Sequence, residues 1–166
     1  MYSLQYFHKL STRFDQSLTE WGGSALSFAL RLYVGWQFFK AGMVKVSDWS
    51  VTLSLFQDEY MVPVIPPELA AWLGAAGELA LPVLLLVGIF TRPAALALFG
   101  VNLMAVISYP LLFTLDCPAA INSHFYWGIL LLVLVSFGPG KLSLDQWLSK
   151  RGKAASESGE LGQQVN

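Results

Sequence analysis

Four long apolar segments, separated by shorter polar stretches, dominate the pattern of positions along the chain. They lie at about 22–44, 69–90, 94–115 and 121–137. Because a helix needs about 20 apolar residues to cross the hydrocarbon core, three segments are long enough and the last is near the minimum. The pattern therefore predicts an all-α, polytopic membrane protein, with a bundle of four transmembrane helices in a membrane domain at 22–148.

The segment before the first span, 1–21, predicts a helix of another kind. Its apolar side chains recur at steps of three and four, so they form one stripe with polar side chains opposite. The stripe consists of Phe7, Leu10, Phe14, Leu18 and Trp21. An amphipathic helix of this kind lies in a membrane surface or packs on the cytoplasmic face of its own protein, and both alternatives stay open.

The connections between the spans also follow from the pattern. A Thr-Arg-Pro turn at 91–93 makes the second and third spans antiparallel neighbours, since proline suits a first helical position. The loop at 45–68 is long enough for a short interfacial helix at 51–60. After Gly138-Pro139-Gly140, a capping box at 143–146 predicts a short helix, and the polar residues 149–166 predict a disordered tail.

Composition agrees with a membrane protein. The 166 residues are 55% hydrophobic and only 13% charged, which leaves too little charge to cover the surface of a soluble enzyme. The mean hydropathy is +0.53. A net charge of -1 gives no reason to expect a nucleic-acid partner. The single cysteine, Cys117, excludes an intrachain disulfide and a CxxC redox pair, and it is either structural or a reactive thiol.

The distribution of Lys and Arg predicts the orientation. With a cytoplasmic N-terminus, seven cations fall on the cytoplasmic side and Lys45 on the other, with Lys40 near the boundary. The seven are Lys9, Arg13, Arg92, Lys141, Lys150, Arg151 and Lys153. This positive-inside asymmetry predicts that both termini are cytoplasmic.

Polar residues within the spans are the candidates for function, because a charge inside a bilayer costs at least about 2.5 kcal/mol and usually finds a partner. At 1.5 Å per residue, Arg31, Glu78 and Asn102 lie about 12–18 Å from the cytoplasmic ends of their spans. We therefore expect an Arg31–Glu78 ion pair. Such a pair either fixes the register of the helices or forms a polar site for a proton, a quinone head group or a small solute.

Two more polar residues lie nearer the outer surface. By the same arithmetic Gln37 and His124 are about 21–23 Å from the cytoplasmic ends. His124 stands next to three aromatic residues, so it belongs to an interfacial belt or moves protons at the mouth of a cavity. The only other histidine, His8, is on the cytoplasmic side, so no haem site is evident, and no metal site is evident either.

Three motifs in order resemble the DoxX family of bacterial integral membrane proteins. Residues 31–45 match R-x3-G-x2-F-x3-G-x2-K, residues 88–95 match G-x3-R-x-A-A, and residues 138–145 match GPG-x2-SLD. The resemblance covers about 30–148. It implies a four-helix bundle in an inner membrane, and its signature positions are Gly35, Gly42, Lys45, Gly88, Arg92 and Asp145 alongside Arg31 and Glu78.

Relatives in this family are associated with thiosulfate:quinone oxidoreductase as its membrane subunit, or with oxidative-stress complexes. The resemblance thus implies a non-catalytic subunit that supports a redox partner protein and offers quinone a polar cavity. Arg31 and Glu78 would then bind a quinone oxygen, with Trp36, Phe39 and Trp127 packing its ring. The alternatives are a small-solute transporter or exporter with a midplane Arg–Glu site, helped by oligomerisation, and a structural scaffold.

Overall fold

The computed structural model describes residues 11–12, 14–16, 18–113 and 118–153. Its α-helices are α1 (Gly23–Ser47), α2 (Trp49–Asp58), α3 (Pro67–Val87), α4 (Thr91–Ser108), α5 (Ala119–Phe137) and α6 (144–153). A π-helical turn, Leu18–Gly22, precedes α1, and a 3-10 turn, Pro110–Phe113, follows α4. These described ranges contain no strand, so the predicted all-α fold is confirmed.

The long helices form a membrane bundle. By length and composition α3, α4 and α5 are each suited to cross a membrane. Helix α1, the predicted first span, has 25 residues and packs mainly on α3, with a smaller contact to α5. Two of its three cations, Arg31 and Lys45, have hydrogen-bond partners inside the bundle, whereas Lys40 is exposed at its surface.

The core lies between α1, α3, α4 and α5. Eight buried apolar side chains form its main cluster: Val34, Phe38, Leu85, Ala94, Ala95, Leu98, Leu131 and Leu134. A second, smaller cluster holds α2 against the first half of α3 and consists of Phe56, Ala70 and Ala71. Helix α2 therefore covers the part of α3 that extends beyond the last turn of α1.

Two of the predicted boundaries change for local reasons. The third span was expected at 94–115, but α4 ends at Ser108 and a 3-10 turn begins at Pro110, because proline cannot donate the next helical hydrogen bond. The short helix of the first loop begins at Trp49, where the Asp48 side chain caps it. Hydrogen bonds from the Ser50 hydroxyl and the Val51 amide lower the pKa of Asp48.

The C-terminal segment is more ordered than its composition predicts. Disorder was expected from 149, but α6 continues to 153, and 154–166 lie outside the described residues. The capping prediction holds, since Ser143 Oγ accepts from the Gln146 amide at 3.2 Å. The Arg151 guanidinium lies 3.9 Å from the ring centre of Trp147, one turn earlier, and this contact extends the helix.

The π-helical turn before α1 lies beside the segment that precedes α6. Glu20 forms an ion pair with Lys141 at 2.6 Å, and the Lys141 ammonium also lies 4.7 Å from the Trp21 ring centre. Phe14, Leu18 and Trp21 of the predicted stripe are exposed, while Phe7 and Leu10 lie outside the described residues. The location of this stripe in a membrane surface stays a prediction.

Candidate functional site

The predicted ion pair between Arg31 and Glu78 is wrong, because each side chain has a different partner. Glu78 Oε2 accepts a hydrogen bond from Lys45 Nζ at 2.6 Å. Arg31, with 1% of its surface exposed, donates to the main-chain oxygen of Leu85 at 3.2 Å and to that of Leu142. Leu85 lies seven residues after Glu78, about 10 Å further along α3.

The direction of side chains on a helix explains this exchange of partners. Each side chain leans toward the N-terminus of its own helix. Since α1 and α3 are antiparallel, Glu78 leans toward the end of the bundle where α1 stops, and Lys45 leans back to meet it. Arg31 leans the other way, toward the end where α1 starts. Arg31 and Glu78 are therefore not partners, although their main-chain positions were expected at similar distances from the cytoplasmic ends of their spans.

The Lys45–Glu78 pair lies in the wall of a cavity of about 560 Å³. This cavity occupies the half of the bundle where α1 ends and α3 begins, and α2 and the segment after it cover it. Its volume is within the roughly 300–1,000 Å³ of typical ligand pockets. The lining is largely apolar and includes Phe56, Ile65, Val101, Leu112 and Trp127. Such a cavity suits a ring with few polar groups.

Small residues shape the contact between α1 and α3 beside the cavity. A Cβ atom at Gly42 would lie 2.9 Å from the Leu79 side chain and 3.1 Å from the main-chain carbonyl carbon of Glu78. At Gly35 a Cβ would lie 3.5 Å from the main-chain oxygen of Pro82. Two signature glycines thus bring α1 close enough for Lys45 to reach Glu78.

His124 lines the cavity from α5, and Asn102 of α4 holds it in place. The Asn102 amide group donates to the main-chain oxygen of His124 at 2.9 Å. Asn102 Oδ1 lies 2.9 Å from Nδ1 of the His124 ring. Trp127, one turn later, packs edge-on against the imidazole with ring centres 5.1 Å apart. The histidine is therefore fixed by two hydrogen bonds and one ring contact.

Three more polar side chains reach the cavity, and sequence reasoning missed all of them. Tyr60 and Tyr109 line it with their rings edge to face, 5.3 Å between centres. Ser108, the last residue of α4, lines it with 5% of its surface exposed, and among the described residues its hydroxyl has no hydrogen-bond partner. A buried hydroxyl without a partner costs free energy, so Ser108 is a natural contact for a ligand.

The cavity reaches the outside of the bundle between α3 and α4. The two helices touch near Gly77, where a Cβ would lie 3.2 Å from the Val101 side chain. About one turn further toward the covered end, Leu73 of α3 and Met104 of α4 line the cavity and are both exposed. This opening thus lies between two helices that are each suited to cross a membrane.

Other predicted site residues lie outside this cavity. Trp36 and Phe39 stack on each other, with ring centres 6.2 Å apart, and do not line the cavity. Of the three aromatic residues expected to pack a quinone ring, only Trp127 lines it. Gln37 is half-buried on α1 and is also absent from the lining. Cys117 lies outside the described residues.

Arg31 belongs to a second polar cluster, at the other end of the bundle, which we name the latch: Arg31, Gly88, Leu142 and Asp145. The two oxygens of Asp145 accept from the amides of Phe90 and Thr91, at 3.0 and 3.1 Å. The amide of Asp145 donates to the Gly88 oxygen at 2.9 Å. Gly88 has φ +73° and lies directly against the Arg31 guanidinium, so only glycine fits there.

The latch gives a structural role to three of the eight signature positions: Arg31, Gly88 and Asp145. Asp145 caps the first turn of α4, and Arg31 fastens the segment before α6 to α3. Arg92 donates to the main-chain oxygen of Ser136 at 3.4 Å and so ties the start of α4 to the end of α5. These contacts place Arg31 in the scaffold rather than in the cavity.

Among the described residues, no group of three or more His, Cys, Asp or Glu side chains could hold a metal ion.

Lys45 could have been assigned to the site from the sequence by comparing side-chain directions on antiparallel helices. The cavity contributions of Tyr60, Ser108 and Tyr109 carry no such signal, because they depend on how α2 and the end of α4 fold over the bundle.

Comparison with known proteins identifies a family and a relative. The DoxX family profile matches residues 26–111. An uncharacterised protein of Haemophilus influenzae is 31% identical over 136 residues, which cover 77% of this chain and 87% of that protein. No solved structure matches.

Proposed function

This chain belongs to the DoxX family, and from that premise we propose that it is a membrane subunit that binds a quinone head group and supports a membrane-associated redox system. The site is the cavity lined by α3, α4 and α5 and covered by α2. In this proposal the chain contributes binding and orientation, and a partner protein carries out the redox chemistry.

One observation carries the proposal: a largely apolar cavity holds the Lys45–Glu78 pair, His124 and an unpartnered Ser108 hydroxyl. A quinone combines an apolar ring with two opposed oxygens, so it needs flat apolar walls and few polar contacts. The opening between Leu73 and Met104 faces lipid, where the isoprenoid tail of a quinone would remain. The hydrogen-bond donors and acceptors of the cavity would then contact only the quinone head group.

The proposed orientation has both termini in the cytoplasm of a bacterial cell and the chain in the inner membrane. The latch and α6 then face the cytoplasm, together with Lys141, Lys150 and Arg151. The cavity lies in the outer half of the bundle, covered by α2. A partner that exchanges electrons with the bound quinone would dock on the outer face, near α2.

The test is extraction of quinone from the protein purified in mild detergent. Wild type is compared with Lys45→Met, Glu78→Gln and Lys40→Met. Lys40→Met is the matched control, because Lys40 is a lysine of the same helix that is exposed at the surface. We expect about one quinone per chain in wild type and Lys40→Met, and at least a tenfold loss in the other two variants.

Each of the other outcomes contradicts the proposal in its own way. Wild type without quinone, combined with solute uptake by proteoliposomes of this chain alone, would indicate a transporter. Wild type without quinone or uptake would indicate a structural scaffold. Quinone retained by folded Lys45→Met and Glu78→Gln proteins would show that the site lies elsewhere.

A further inference from the structure

The hydrogen bonds between Asn102 and His124 determine which nitrogen of the imidazole carries the proton. Asn102 Nδ2 donates to the His124 main-chain oxygen, which can only accept. The amide therefore cannot be turned over, and its oxygen must face Nδ1 of the ring. Since Asn102 Oδ1 is an acceptor, Nδ1 must be the donor, N–H.

The assignment of Nδ1 defines the other nitrogen. In a neutral imidazole with its hydrogen on Nδ1, the Nε2 atom carries a lone pair and can only accept. The Nδ1 edge of the ring is held by Asn102, and none of the described residues bonds Nε2. His124 lines the cavity, so the lone pair on Nε2 is the part of the side chain left for a ligand.

From this geometry we propose that the site prefers the reduced, hydroxyl-bearing form of its ligand, with a ligand hydroxyl donating to His124 Nε2 and Asn102 acting as the positioning residue. The inference rests on the proposed function, since it assumes that the cavity holds a quinone. A quinone offers only carbonyl oxygens, whose lone pairs would oppose that of Nε2. A quinol offers two hydroxyl groups.

The Lys45–Glu78 pair offers both ammonium donors and a carboxylate acceptor at one place, so it suits either form, and the choice depends on His124. Lys45 donates, the free Glu78 oxygen accepts, and the Ser108 and tyrosine hydroxyl groups can do both. The titratable groups that line the cavity with His124 are Lys45 from α1, Tyr60 after α2, Glu78 from α3 and Tyr109 after α4. Among the four, Glu78 also presents an acceptor, but the Lys45 ammonium beside it supplies a donor, whereas His124 presents an acceptor alone.

The experiment measures two dissociation constants, for a short-chain benzoquinone and for the corresponding benzoquinol, by anaerobic calorimetry at pH 8. That pH lies well above the ordinary histidine pKa of about 6.5, so the neutral ring predominates. We expect wild type to bind the quinol about tenfold more tightly, as one hydrogen bond gained and one lone-pair repulsion avoided would give.

Three variants test the role of His124 separately. His124→Phe keeps a flat ring without an acceptor, and the ratio of the two affinities should fall to about one. Asn102→Asp keeps an acceptor for Nδ1–H but adds a negative charge that favours the imidazolium form of His124. In the imidazolium, Nε2 carries a hydrogen and donates, and a quinone oxygen can accept it. Near pH 6 the preference of this variant should therefore shift toward the quinone. Tyr126→Phe, on the exposed side of α5, is the control and should keep the wild-type ratio.

The outcomes separate this inference from the proposed function. If neither form binds to wild type, the proposed function fails. If both forms bind with equal affinity, or the quinone binds more tightly at pH 8, the inference alone is overturned. A preference for the quinol that persists in folded His124→Phe and Asn102→Asp proteins would also overturn it, because the selectivity would then come from another group.

Discussion

At the scale of single residues, the Lys45–Glu78 pair is the electrostatic centre of the cavity. The Glu78 side chain is 9% exposed and that of Lys45 is 21% exposed, so both charges are largely removed from solvent. Their 2.6 Å contact offsets part of the cost of burial. Removing one partner leaves the other charge without compensation, whereas removing both leaves an apolar surface.

This asymmetry gives a prediction for stability. Lys45→Met should lower the free energy of unfolding by about 3 kcal/mol, near the lower end of the range for broken buried pairs because Lys45 keeps some exposure. The double variant Lys45→Met/Glu78→Met should regain most of that loss. Thermal unfolding in detergent measures both, and equal destabilisation of the single and double variants would contradict this account.

At the scale of elements, two glycine contacts and one aspartate cap determine how the helices meet. Gly42 lets α1 approach α3 beside the cavity, and Gly88 makes room for Arg31 at the other end. Asp145 joins the first turn of α6 to the connection between α3 and α4: its carboxylate accepts from the amides of Phe90 and Thr91, and its own amide donates to the Gly88 oxygen. The cavity and the latch are thus separate structures, and variants should affect them separately.

Gly42→Ala should separate α1 from α3 by a few tenths of an ångström and cost about 1–3 kcal/mol, because the added methyl group meets Leu79 and the main chain of Glu78. The same change at Gly100 of α4 is the control, since nothing lies within 4 Å of a Cβ there. Thermal unfolding of the two variants compares them, and equal melting temperatures would refute the close contact.

Asp145→Ala should release the C-terminal segment while the cavity stays intact. The variant loses the cap of α4, which costs about 1 kcal/mol, so that of the three hydrogen bonds of Asp145 only the main-chain one from residue 145 to Gly88 is left. Trypsin should then cleave at Lys150 or Arg151 several times faster than in wild type, with quinone content unchanged. Asp58→Ala, which removes an exposed carboxylate of α2, should leave the cleavage rate unchanged. Loss of quinone in Asp145→Ala would mean that the two structures are coupled.

At the scale of the whole molecule, the two ends of the bundle contain different structures. The latch, α6 and most cations of the described residues occupy one end, and the cavity with its α2 cover occupies the other. In the proposed orientation, which follows the positive-inside rule, the first end faces the cytoplasm. The opening between α3 and α4 would then face the bilayer, where a lipid-soluble ligand resides.

Cysteine labelling tests this orientation. In a Cys117→Ser background, a membrane-impermeant maleimide should label the Gln57→Cys variant on intact spheroplasts. The Lys150→Cys variant should be labelled only after lysis. Both native side chains are exposed, so the comparison depends on the side of the membrane rather than on burial. The opposite pattern of labelling would invert the orientation and place the cavity in the inner half of the membrane.

The chain by itself determined the helical bundle, the family and part of the site, because hydropathy and motif spacing are local properties of the sequence. Glu78, Asn102 and His124 could be chosen in this way, and all three lie at or beside the cavity. Only the tertiary structure decided their partners. A side chain leans along its own helix, so Arg31 and Glu78 diverge while Lys45 and Glu78 converge. The fold of α2 and the break at Pro110, rather than any motif, bring Tyr60, Ser108 and Tyr109 to the same site.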